Sequence, residues 1–70
     1  MSKGDLNARK WLVELEYAGY AVHWDKSMDA YIVERDGVYV MGISDVAMRY
    51  AKFDIVDWAH RHARERGVLL

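Results

Sequence analysis

Hydrophobic and polar positions alternate in two distinct rhythms along this chain. From Asp5 to Ala18, Ala8, Trp11, Leu12, Leu15 and Ala18 recur at helical spacing. Arg9, Lys10, Glu14 and Glu16 lie largely on the other side. The pattern predicts a first helix with Asp5 as its cap and Gly19 as its left-handed stop. From Tyr20 the rhythm shortens to two. Tyr20, Val22 and Trp24 alternate with Ala21 and His23, as in a strand.

The clearest local signal lies further on. Two β-branched runs, Ala30 to Arg35 and Val38 to Ile43, flank Asp36-Gly37. A two-residue type I′ turn needs positive φ at both central positions, and Asp-Gly supplies both. Asp25 to Asp29 is polar enough to be the preceding hairpin loop. An unbroken ladder through the tight turn pairs Arg35 with Val38, Glu34 with Tyr39, Val33 with Val40, Ile32 with Met41 and Tyr31 with Gly42.

From Ser44, a natural cap, to about Arg66 the helical rhythm returns. Ala47, Ala51, Ile55, Trp58, Ala59 and His62 form an apolar stripe, while Val46, Tyr50, Phe53 and Val56 stray from it. One reading is a single bent helix, apolar on two sides. The other is a break near Phe53-Asp54, with Asp54 capping a second helix and Asp57 three residues on. The single bent helix is the reading taken here. Gly67 ends it. The expected fold is one α+β domain spanning residues 1–70, in the order α-β-β-β-α. It is a two-layer domain with a three-stranded antiparallel meander packed against an N-terminal and a longer C-terminal helix.

That ladder divides the sheet into two faces. Ala30, Ile32, Met41 and Ile43 share one face. Tyr20, Val22 and Trp24 join them if Trp24 lies opposite Ala30, and this face is the expected core. The other carries Ala21, His23, Tyr31, Val33, Arg35, Val38 and Val40. A solvated sheet face normally turns polar, and this one does not. An exposed apolar patch marks a contact site. His23, Tyr31, Val33, Arg35, Val38 and Val40 are therefore the expected protein-contact residues. A one-residue slip of the first strand would exchange Val22 and His23 between faces.

Composition narrows the chemistry. Seventy residues make a small core, and without cysteine no disulfide reinforces it. A cysteine-free domain fits a reducing cytoplasm. A net charge of −1 gives no global attraction to nucleic acid or anionic lipid. No apolar run is long enough for a membrane span. Serine occurs only at positions 2, 27 and 44, none in a nucleophile elbow. The five glycines form no phosphate-cradling cluster. His60 and His62, two apart on a helix, diverge and make no metal pair. These features point away from an enzyme, a metal site or a cofactor.

Arg61, Arg64 and Arg66 form a basic end to the last helix and are the candidates for phosphate contact. The order α-β-β-β-α resembles the double-stranded RNA-binding domain, and Gly42-Ile43-Ser44 falls where that family has a glycine and serine before its last helix. The resemblance implies nucleic-acid binding. However, Asp45 and Val46 stand where the family carries a phosphate-gripping lysine pair. Architecture and size are also similar to small phage-encoded inhibitors of bacterial defence, which implies a bacterial host protein as partner. The sequence thus leads to a small cytoplasmic protein-binding module, an inhibitor or adaptor. A nucleic-acid binder and a structural homodimer are the alternatives.

Overall fold

A computed structural model describes residues 1–70. The element order is α1 (Lys3–Tyr17), β1 (Ala21–Asp25), β2 (Ala30–Arg35), β3 (Val38–Ile43), α2 (Asp45–Tyr50) and α3 (Ile55–Glu65). The strands form one antiparallel sheet in the order β1-β2-β3. The helices cover one face of it. No helix is long and apolar enough to cross a membrane.

α1 begins earlier than its apolar stripe suggests. Ser2, not Asp5, is the cap. Its hydroxyl accepts from the Asp5 N–H, and the Asp5 carboxylate accepts from the Ser2 N–H. This reciprocal arrangement satisfies two backbone donors at the helix start. Gly19 ends the helix at φ 97°. An added Cβ there would meet the Arg35 guanidinium at 2.8 Å, so this glycine serves both a left-handed backbone and a close approach.

The Asp36-Gly37 turn has φ of 53° and 77°, the mirror-image geometry expected of the pair. The ladder beyond it is not regular. Glu34 pairs with Tyr39, but Val33 pairs with Met41. Val40 is therefore an extra residue, a β-bulge. β1 is also one residue out of the expected register, with Trp24 opposite Tyr31 and Asp25 opposite Ala30.

Together these two shifts reverse the role of β2. Val22, Val33, Met41 and Ile43 come together under the helices, and the bulge residue Val40 is buried there too. Val33 and Val40 are fully buried. The open face carries Ala21, His23, Ala30, Ile32, Glu34, Tyr39 and Gly42. Ile32 is sheltered on that face because Tyr39 reaches back across Gly42. A Cβ at Gly42 would lie 3.3 Å from the Tyr39 hydroxyl and 3.8 Å from Ile32 Cδ1.

The C-terminal segment breaks rather than bends. α2 stops at Tyr50, Ala51 turns extended, and Asp54 caps α3 by accepting from the Asp57 N–H at 3.1 Å. The break lets two apolar sides face one core. Met48 of α2 and Ile55, Ala59 and Ala63 of α3 are all buried against Leu15 and the sheet. Arg49 holds α2 to the start of α1. Its guanidinium pairs with Asp5 and Asp45, and its carbonyl accepts from Asn7.

Candidate functional site: the groove between the first and last helices

The six expected contact residues do not share one surface. Val33 and Val40 belong to the core, so the exposed apolar face that they were to form does not exist in the folded chain. Tyr31 is half-buried beneath Trp24, with its hydroxyl 3.5 Å from Asp45. Burial, helped by the Asp45 carboxylate, pushes its phenol above the ordinary range. Arg35 turns inward. It donates to the Ala18 carbonyl at 2.9 Å, and its guanidinium lies over the Tyr20 ring. His23 and Val38 remain exposed, but on opposite faces of the sheet. His23 lies 3.7 Å from Glu34 on the open face. The physical cause is the extra residue at Val40 and the one-residue shift of β1, because each moves alternate side chains through the sheet.

The basic end is also divided. Arg61 and Arg64 are exposed. Arg66 is engaged: its Nε donates to the Val40 carbonyl at 3.0 Å and its guanidinium covers the Tyr39 ring. The histidines have separate partners. His60 Nδ1 shares a 2.6 Å hydrogen bond with the Tyr20 hydroxyl. His62 lies 3.9 Å from Glu65 and tilts against Trp58. No three histidine, aspartate or glutamate side chains converge to hold a metal ion.

A different surface concentrates apolar groups. Three shallow depressions lie along the C-terminal half of α1 and the N-terminal half of α3, and one of them spans both helices. Val13, Glu16 and Tyr17 line the first. Glu14, Tyr17, Ala18, Asp54 and Val56 line the second. Phe53, Asp54, Asp57, Trp58 and Arg61 line the third, a hollow of about 310 Å³. Tyr17 borders the first two, and Asp54 borders the last two.

Local sequence explains each wall. Glu14 and Tyr17 are three apart and lie on one side of α1. Phe53 immediately precedes the Asp54 cap, while Asp57, Trp58 and Arg61 follow on the first turns of α3. Phe53 and Trp58 meet edge to face, with centroids 4.9 Å apart and planes at 89°. Such a pair is a favourable aromatic geometry that leaves a right-angled corner. Tyr17 is 90% exposed, Val13 51% and Phe53 47%.

The sequence held a signal for part of this site. Val13 and Tyr17 are apolar positions on the side of the first helix that faces away from Ala8 and Leu15. Phe53 and Val56 were visible as strays from the last apolar stripe. Their meeting depends on packing and has no local signature.

No protein-family model, curated protein or solved structure matches this chain.

Proposed function

We propose that this chain is a small non-enzymatic protein-binding module and that its partner docks in the groove between α1 and α3. The observation carrying this reading is the depression that spans the two helices, lined by Tyr17, Ala18 and Val56, with exposed Val13 and Phe53 in neighbouring hollows on either side. Apolar patches of this kind mark interaction sites. Aromatic and arginine side chains are the types most enriched among residues that dominate binding energy, and the groove offers Tyr17, Trp58 and Arg61. Size and architecture support a role as an inhibitor or adaptor acting on a host protein in the cytoplasm. Such a protein would act through shape and aromatic contact, because the chain as a whole carries little net charge.

The test is capture from a lysate of the source cells with the tagged chain, after nuclease treatment. The wild-type chain and the His23→Ala variant should retain one discrete protein. A Tyr17→Ala, Phe53→Ala double variant should lose it. Equal capture by all three would remove the groove from consideration. Recovery of nucleic acid alone, abolished by nuclease, would move the site to Arg61 and Arg64. A chain that runs as a dimer by light scattering and captures nothing would mean that a second copy is the partner.

A further inference from the structure

Going beyond a foreign partner in the groove, we propose that two copies of this chain pair through the outward side of α1, with the two helices antiparallel. Leu6, Lys10, Val13 and Tyr17 follow one another at steps of four, three and four. That is the spacing of a coiled-coil seam. The seam lies opposite the buried residues Gly4, Ala8 and Leu15, and every member of it is exposed. The outward side of a surface helix is ordinarily polar. Here Leu6, Val13 and Tyr17 are large apolar side chains left open to solvent. Lys10 withdraws its charge from the row. Its ammonium lies 4.6 Å from the centroid of the Trp11 ring, and its methylene stem stays on the seam.

The flanking charges select the occupant. Arg9 and Glu16 lie exposed on the same flank of the seam, and neither forms an ion pair within the chain. Seven positions apart, they are separated by about 10 Å along the helix and do not meet each other. In an antiparallel pair, Leu6 faces Tyr17 of the second copy and Lys10 faces Val13 of the second copy. That register sets Arg9 beside Glu16 of the second copy, and the two-fold axis forms the same pair twice. Glu14, on the other flank, stands beside Asn7 of the second copy, so no like charges meet. A parallel pair would set Lys10 against its own counterpart. Glu16 also sits in the last turn of α1, where the dipole disfavours a carboxylate and no basic residue answers it. Arg9 of the second copy supplies that answer.

Val13 and Tyr17 also line the depressions beside α3, so pairing covers surface that a partner in the groove would use. Leu6 and Arg9 line none of those three depressions, which lets the two readings be tested apart.

Sedimentation equilibrium of the purified chain tests the pairing. The wild-type chain should show a monomer–dimer equilibrium. Arg9→Glu should weaken association roughly tenfold, because two exposed ion pairs become repulsions and each is worth a few-fold. Glu16→Arg should do the same. The double variant Arg9→Glu, Glu16→Arg exchanges the charges and should restore wild-type association. Leu6→Ala should weaken association with no change of charge. Circular dichroism should show the same fold for every variant, since all three side chains are exposed. A chain that stays monomeric at every concentration would overturn the proposal. So would single reversals without effect, or a double variant as weak as the single ones. Capture of a cellular protein in the groove should survive Leu6→Ala and Arg9→Glu. Loss of dimer with capture intact therefore supports the pairing, and absence of a dimer with capture intact sinks it while the groove reading stands.

Discussion

The carbonyl of Val40 accepts a 3.0 Å hydrogen bond from Nε of Arg66, which reaches it from the end of α3. Val40 is the extra residue of the bulge, and a bulge takes its extra residue out of the regular ladder. Arg66 therefore supplies a bond to the bulge at the edge of the sheet while its guanidinium covers Tyr39. Arg66→Ala should destabilise the domain by about 1 kcal/mol. Arg66→Lys should not restore it fully, because an ammonium lacks the planar guanidinium that covers the ring. Urea unfolding of the two variants measures both effects.

Val40 itself separates packing from register. Val40→Ala removes buried methyl groups and should cost about 2 kcal/mol. Deletion of Val40 should cost little more than that. It would remove the bulge, yet Met41 and Ile43 would keep their partners Val33 and Tyr31 on the covered face. Thermal unfolding followed by circular dichroism should show a cooperative transition for both variants. Loss of the transition in the deletion alone would mean that the bulge itself, and not only the Val40 side chain, holds the sheet to the helices.

Tyr20 and His60 tie the start of the sheet to α3 through their 2.6 Å hydrogen bond. Tyr20→Phe keeps the ring under Arg35 and removes only the hydroxyl. A loss of about 1 kcal/mol is expected, with coupling to His60→Ala in a double-mutant cycle. Burial pushes the Tyr20 phenol above its ordinary value of 10.0, against the opposing influence of Arg35. The sign follows from proton binding. Below pH 10.0 both folded and unfolded forms keep the phenolic proton, so this contribution is fully present. As pH rises towards the folded value, the unfolded chain ionises first and stability falls. Tyr20→Phe should flatten that alkaline loss.

Acid should act at the other end of the molecule. The Arg49 guanidinium, aided by Ser2, holds the Asp5 carboxyl below its ordinary value of 3.8. A lowered folded value gives stability that is present above 3.8 and disappears as pH falls through the folded value. Arg49→Gln should shrink the part of the acid loss that lies below 3.8 and lower stability at neutral pH. Urea unfolding at neutral and strongly acidic pH would show whether the two curves converge in acid. Parallel curves would mean that the pair does not control acid sensitivity.

The break between α2 and α3 makes a separate prediction. Asp54→Ala removes the acceptor for the Asp57 N–H and should cost about 1 kcal/mol. Asp54→Asn should be close to neutral. Hydrogen exchange should show the loss concentrated in the first turn of α3.

Elements governed by neighbours in sequence were legible without the structure. The stripe Ala8, Trp11, Leu12, Leu15 and Ala18 is the buried or half-buried side of α1. The bounds of β2 and β3 follow from β-branched runs around Asp36-Gly37. The cap of α1 was misplaced by three residues because Asp5 occupies the other half of the capping box begun by Ser2. The helix break had a visible marker in Asp54. A cap residue also tolerates a helix interior, so packing had to choose. It chose the break because Met48 and Ile55 could then meet one core.

By itself, the sequence determined the number, order and type of strands, the turn that joins two of them and the inward side of the first helix. Those depend on φ preferences and on spacing within a few residues. Tertiary structure alone decided which face of β2 is covered, which arginines stay free and where exposed aromatic groups gather. One extra residue at Val40 reverses side-chain phase without altering the apolar pattern, so Val33 reads the same inside or out. The depression between the helices joins Glu14 and Tyr17 to Asp54 and Val56, partners far apart in the chain. Only the docking of α3 beside α1 brings their side chains to one surface.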